Sequence, residues 1–184
     1  MNIVYIFVLC IAGAIFSVFL HELGHYVCAR LLGVRPTSIR FGGGRKFASF
    51  SVNNLQILLH MNPFGGSVGM VGEERNGWVY FAIVLAGPLT HAALCGICLF
   101  VAGLTTSNLV YRTASILAVC NVLMFCFNLW PTGGDGKFIA MCLFGEECVE
   151  RWVHEHENHL YIASECLKVL TFIGILYALF HPTS

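Results

Sequence analysis

The chain has 184 residues, enough for one domain of ordinary size, and its balance is not that of a soluble protein. Charged residues are 11% where roughly 25% is usual, hydrophobic residues are 57%, and the mean hydropathy is +0.75. The formal net charge is zero, which argues against nucleic acid or another polyanion as a partner and leaves the lipid bilayer as the first one. Nine cysteines, an odd number scattered through apolar runs, do not form the framework of a small secreted domain and read as small packing residues.

Residues 3–32 read as one long helix. The run from Met1 to Leu20 carries no charge and alone nearly suffices to cross a bilayer, which takes about 20 residues. The absence of a basic leading segment and of a small-x-small site before His21 makes this stretch a retained span rather than a cleaved signal. Gly33 and Pro36 end it.

Residues 37–72 have a different texture. Lys46 to Val52 and Leu55 to Met61 read as short strands, Phe41-Gly42-Gly43-Gly44 as a hairpin turn, and Ser67 to Val71 as one more strand. The expectation is a small β-hairpin or sheet associated with the membrane, because the segment is too interrupted to span it. Non-helical backbone at that depth must be covered by protein or water.

Three further hydrophobic runs follow, at about 78–104, 113–130 and 160–180. The first contains Ala86-Gly87-Pro88, expected to bend or loosen it, and His91 near its middle. The second ends at Asn128-Leu129-Trp130-Pro131, before a tight glycine-rich turn that holds Asp135, the only aspartate of the chain. The fold expected is an all-α polytopic membrane protein with a single domain over 1–184: a three-helix core, a fourth hydrophobic helix, and the small sheet between the first two helices. Positive charges orient it. Arg30, Arg35, Arg40, Arg45, Lys46, Arg75, Lys137 and Arg151 fall in the segments after spans one and three, against Arg112 alone in the other loop, so those segments face the cytoplasm.

The chemistry-bearing motif is His21-Glu22-Leu23-Gly24-His25, an H-E-x-x-H sequence inside the apolar first helix. Residues i and i+4 share a helix face, so both imidazoles can grip one metal ion while Glu22 takes a proton from water beside it. Such groups are costly in an apolar helix unless they serve a function. Catalytic zinc usually has three protein ligands. Asp135, on the same side of the membrane as the motif, is the leading third ligand; His91 is the alternative, or else a residue lining the site. Cys95-x-x-Cys98 reads as packing, and His154, His156 and His159 as a solvated interfacial segment.

HELGH in the first span, residues 62–70 (Asn-Pro-Phe-Gly-Gly-Ser-Val-Gly-Met), Ala86-Gly87-Pro88 and the stretch from Asn128 to Gly136 occur together and in order. In this combination the chain resembles the site-2 protease family of intramembrane zinc metalloproteases, over roughly residues 13–140. The resemblance implies Zn2+ held by His21, His25 and Asp135, with Glu22 as catalytic base. It also implies substrate contacts at Asn128 and at the hairpin bearing Gly65 and Gly66. The implied activity is cleavage of a membrane-anchored protein or peptide within or near its transmembrane segment, in regulated proteolysis, at a cell membrane if the source is prokaryotic, with the active site toward the cytoplasm. Two residues depart from the family pattern: Gly134 stands where leucine is usual, and His91 where asparagine often follows Ala-Gly-Pro. The competing expectation is a catalytically silent, protease-like protein that binds or sequesters membrane partners. The intact Glu22 argues against it. The oligomeric state is not legible.

Overall fold

The computed structural model describes residues 3–71, 77–131 and 134–156, together with 160, 162, 163 and 166. In chain order it contains α1 (Ile3–Leu31), β1 (Arg35–Val52), β2 (Leu55–Val71), α2 (Gly77–Leu104), α3 (Asn108–Asn128) and α4 (Gly134–Phe144). A further helical stretch covers 146–156. α1, α2 and α3 are each long and apolar enough to cross a membrane. The fourth hydrophobic run, at 160–180, falls outside the described residues but for the few named above.

The three long helices form because their runs are apolar on all sides, as a helix solvated by lipid must be. Val4, Phe7, Phe16, Phe100 and Leu104 are among the large side chains left exposed. Between helices the buried residues are small or compact: Ala102, Ala114 and Ala118 with Val84, Ile83 and Ile116. Small residues let backbones approach, which matters where hydrophobicity drives no helix association. α3 begins at Asn108, five residues before the expected start, so Arg112 lies inside the helix. In a first or second turn a long cationic side chain can snorkel to the interface, and the charge need not mark the end of the span.

α2 continues through Pro88 without ending. The missing Pro88 N–H leaves the carbonyl of Val84 without its helical donor. The cost is compatible with the position because α2 is packed there, not exposed: Ile83, Pro88 and His91 are its most deeply buried side chains.

β1 and β2 make one two-stranded sheet by element, but their long strands fold back and pair more than once. Val52 pairs with Leu55 across a two-residue turn, Asn53-Asn54, whose φ values of 47° and 67° are the left-handed pair that a tight hairpin requires and asparagine tolerates. Residues 46–52 run antiparallel to 55–60, as the sequence suggests. Residues 38–41 have partners on both flanks. Ser38 to Phe41 face Gln56 to Leu59 in step on one side, and Gly69 to Gly66 in reverse on the other. Across the sheet the order of segments is therefore 66–71, 35–41, 55–60 and 46–52.

This sheet lies back along α1. Arg35 emerges just past the helix C-terminus, whereas Phe41 stacks on Phe19 with ring centroids 4.7 Å apart. Twelve helical residues separate Leu31 from Phe19, about 18 Å of rise. The segment 66–71 is thereby carried down to the level of the H-E-x-x-H motif.

Candidate metal centre

His21 and His25 sit one turn apart on the buried face of α1, with Glu22 beside them; all three are at most 7% exposed. Their Nε2 atoms point at a common place and lie 3.1 Å from each other. Asp135 Oδ2 is 2.9 Å from His21 Nε2 and 3.3 Å from His25 Nε2. Tetrahedral ligands at the usual Zn–N distance of about 2.0–2.1 Å stand roughly 3.3 Å apart. The donor set therefore fits zinc in chemistry and in spacing, and it is the one such group of three among the described residues.

Asp135 arrives by a route that its neighbours hide. The expected glycine-rich turn is here the start of a helix, α4, with Asp135 in its first turn. Gly134 takes φ 57°, a left-handed entry. Gly136 is buried against the backbone of Leu129 and Trp130, where a Cβ would collide. Glycine on both sides lets α4 start hard against the end of α3 and turn the carboxylate inward. Burial acts to raise the Asp135 carboxyl, but the two imidazoles beside it win and hold it down at about 2. It is ionised at neutral pH, the form in which a carboxylate binds a metal.

The close packing around the motif is made by glycine. A Cβ on Gly87 of α2 would meet the rings of both His25 and His21, one on Gly66 would meet the Glu22 carboxylate, and one on Gly24 would meet Thr90 and the Ala86 backbone. Ala86-Gly87-Pro88 thus serves as the floor against which the histidines rest. From that same turn the Ile83 carbonyl accepts the Nδ1–H of His25 at 2.7 Å, which leaves the lone pair on Nε2, facing Asp135.

His91 is fully buried behind His21, ring centroids 4.9 Å apart, and its Nδ1–H donates to Asn121 Oδ1 at 3.1 Å. It does not join the group formed by His21, His25 and Asp135. His91 Nε2 and His21 Nδ1 are both buried and, among the described residues, without a hydrogen-bond partner. A polar atom left so costs about 1–3 kcal/mol.

A cleft of about 300 Å³ opens onto Glu22, His25 and Asp135. Gly66, Ser67, Val68 and Met70 form one wall and Tyr80, Ile83, Val84 and Phe138 the other, with Arg40 reaching in from the sheet. Among the described residues Gly66 to Gly69 pair with 38–41 on one flank only, and Gly66, Ser67 and Val68 line this cleft. Residues 56–59, by contrast, have strand neighbours on both flanks. Gly65 is exposed, with φ 85°, and does not line the cleft. Asn128 does not line it either; its side-chain amide donates to the Met124 carbonyl of its own helix at 2.8 Å. Arg40, Tyr80 and Phe138 had no signal in the sequence, being ordinary residues brought together by the pairing of segments far apart in the chain.

The model of Peptidase family M50 matches residues 9–108, more than half of the chain. The chain belongs to Peptidase family M50. The match takes in His21, Glu22, His25 and Ala86-Gly87-Pro88 but stops short of Asp135, so the place of that residue rests on the geometry above. Similar proteins include a "Putative zinc metalloprotease" of Thermotoga maritima, 37% identical over 54% of this chain and 22% of its own length. One of the same name from Helicobacter pylori is 36% identical over 39% of this chain and 21% of its own length. "Putative zinc metalloprotease Rip3" of Mycobacterium tuberculosis is 33% identical over 62% of this chain and 25% of its own length. The chain thus spans about a quarter or less of these relatives. All nine cysteines are free.

Proposed function

We propose that this M50 chain is an intramembrane zinc endopeptidase that cleaves a membrane-anchored substrate within or near its transmembrane segment. The observation that carries the reading is the convergence of His21, His25 and Asp135, from two elements more than a hundred residues apart, on one point beside Glu22. His21, His25 and Asp135 hold the metal. Zinc bound there supplies Lewis acidity, bringing the pKa of water toward ~7 and polarising the scissile carbonyl. Glu22 takes the proton of the attacking water and passes it to the leaving amine, the role its burial beside the cleft suits.

A helical substrate hides its scissile bond in its own hydrogen bonds, so it must be unwound before it is cut. The flank of Gly66 to Gly69 that no described strand covers offers a strand edge at the level of Glu22, where an extended segment can pair as one more strand. Tyr80, Val84 and Phe138 face it across the cleft with apolar surface suited to the side chains of a transmembrane substrate. The excess of positive charge after spans one and three supports a cytoplasmic position for the site and a multi-pass membrane location.

The test is to purify the full chain in detergent, measure bound zinc, and follow cleavage of a candidate membrane-anchored substrate by wild type and by Glu22→Gln. The reading expects zinc in both proteins and cleavage only in wild type. Cleavage retained by the variant would refute the role given to Glu22.

A further inference from the structure

We infer that His91 is a positioning residue for the metal centre: held by Asn121, it is placed to accept the second ring N–H of His21 when the metal is bound, and so to aim the ligating nitrogen. The inference rests on the zinc reading above. A metal-ligating imidazole carries its proton on the other nitrogen and gives it to an acceptor that fixes the ring. His25 has such an acceptor, the Ile83 carbonyl. His21 has none drawn to its Nδ1, yet that atom is buried, and so is the unpartnered Nε2 of His91, whose ring lies 4.9 Å away at 33° to the His21 plane.

The polarity of the chain of groups settles which atom can do what. Asn121 Nδ2 donates to the Leu117 carbonyl at 2.9 Å, so Asn121 presents its Oδ1 to His91. Oδ1 only accepts, so His91 must carry its proton on Nδ1. Its Nε2 is left with a lone pair and no N–H. A lone pair is what the Nδ1–H of a metal-bound His21 needs. The polar line then runs from α3 through α2 to α1: Leu117 carbonyl, Asn121, His91, His21. Each member has one role open to it, and neither Asn121 nor His91 competes with His21 for the metal. This also accounts for a fully buried histidine in a membrane helix that lies outside the ligand group.

The experiment strips the purified chain with a chelator and titrates it back with Co2+ and with Zn2+ against a chromophoric competitor. His91→Leu is expected to weaken both metals by about 10–100-fold and to alter the visible spectrum of the cobalt form. His91→Gln, which keeps an acceptor oxygen, is expected to recover most of the affinity, and Asn121→Leu to lose part of it. Thermal unfolding of the metal-free variants monitors packing separately. Equal affinities for wild type and His91→Leu, or equal losses for His91→Leu and His91→Gln, would overturn the inference. Imidazole 15N resonances of His91 give a readout that does not need the metal: Nδ1 protonated and Nε2 bare in both metal-free and loaded protein. A proton on Nε2 would overturn the inference even if zinc binds, whereas the expected tautomer in a wild type that binds no zinc would fault the zinc reading instead.

Discussion

The two ends of the helix bundle are built by different rules. Toward the N-terminus of α1 the described helices touch loosely: among the described residues Gly13 faces only the flexible end of Leu117, and a Cβ on Gly96 or Gly103 of α2 would meet nothing within 4 Å. Around His21 and His25, glycines stand where backbone, ring or polar side-chain atoms leave no room, at Gly24, Gly66, Gly87 and Gly136. Both ends are apolar, so hydropathy does not separate them. Lipid solvates a leucine as well as a protein interior does, and what distinguishes a site from a mere span is how closely the backbones are allowed to approach.

That contrast can be broken by substitution. Gly87→Val should be the most damaging change, because its side chain occupies the place of both imidazoles; bound zinc and cleavage should both be lost, with a packing penalty of about 1–3 kcal/mol. Retained zinc in this variant, measured by elemental analysis, would contradict the close contact of α2 with the motif. Glu22→Gln should lower turnover by about 10²–10⁴-fold while metal content stays unchanged. Val68→Pro removes one backbone donor from the strand edge beside the cleft; a lost hydrogen bond of about 0.5–1.5 kcal/mol predicts cleavage reduced roughly 2–10-fold, again with zinc in place. Unchanged turnover would show that substrate does not pair with that edge. Gly96→Ala, at the loosely packed end, should leave zinc and activity alone and stabilise α2 by about 0.5–1 kcal/mol in thermal unfolding.

The same contrast explains what could be read from the sequence. α1 and α2 were legible almost to the residue because long charge-free runs have one reading in a chain of this composition. The strands at 46–52 and 55–61 were legible as segments, but their neighbours were not. Residues 38–41 pair on both flanks, and nothing in their sequence tells which partner lies on which side. The start of α3 was obscured by Arg112, which suggests a loop when read as a charge and a helix when its long stem is counted. At Asp135 glycines on both sides suggest a turn, whereas Gly134 and Gly136 in fact let a helix begin in a crowded place. His91 and Asn121 lie thirty residues apart on different helices, and their pairing has no sequence pattern.

The most direct test of the metal centre is the zinc content of the purified full chain, wild type beside Asp135→Ala. One zinc per wild-type chain is expected. The variant should bind it more weakly by more than the ~10–100-fold that loss of an outer partner costs. Equal zinc in the two proteins would contradict Asp135 as the third ligand, and with it the convergence on which the reading of this chain depends.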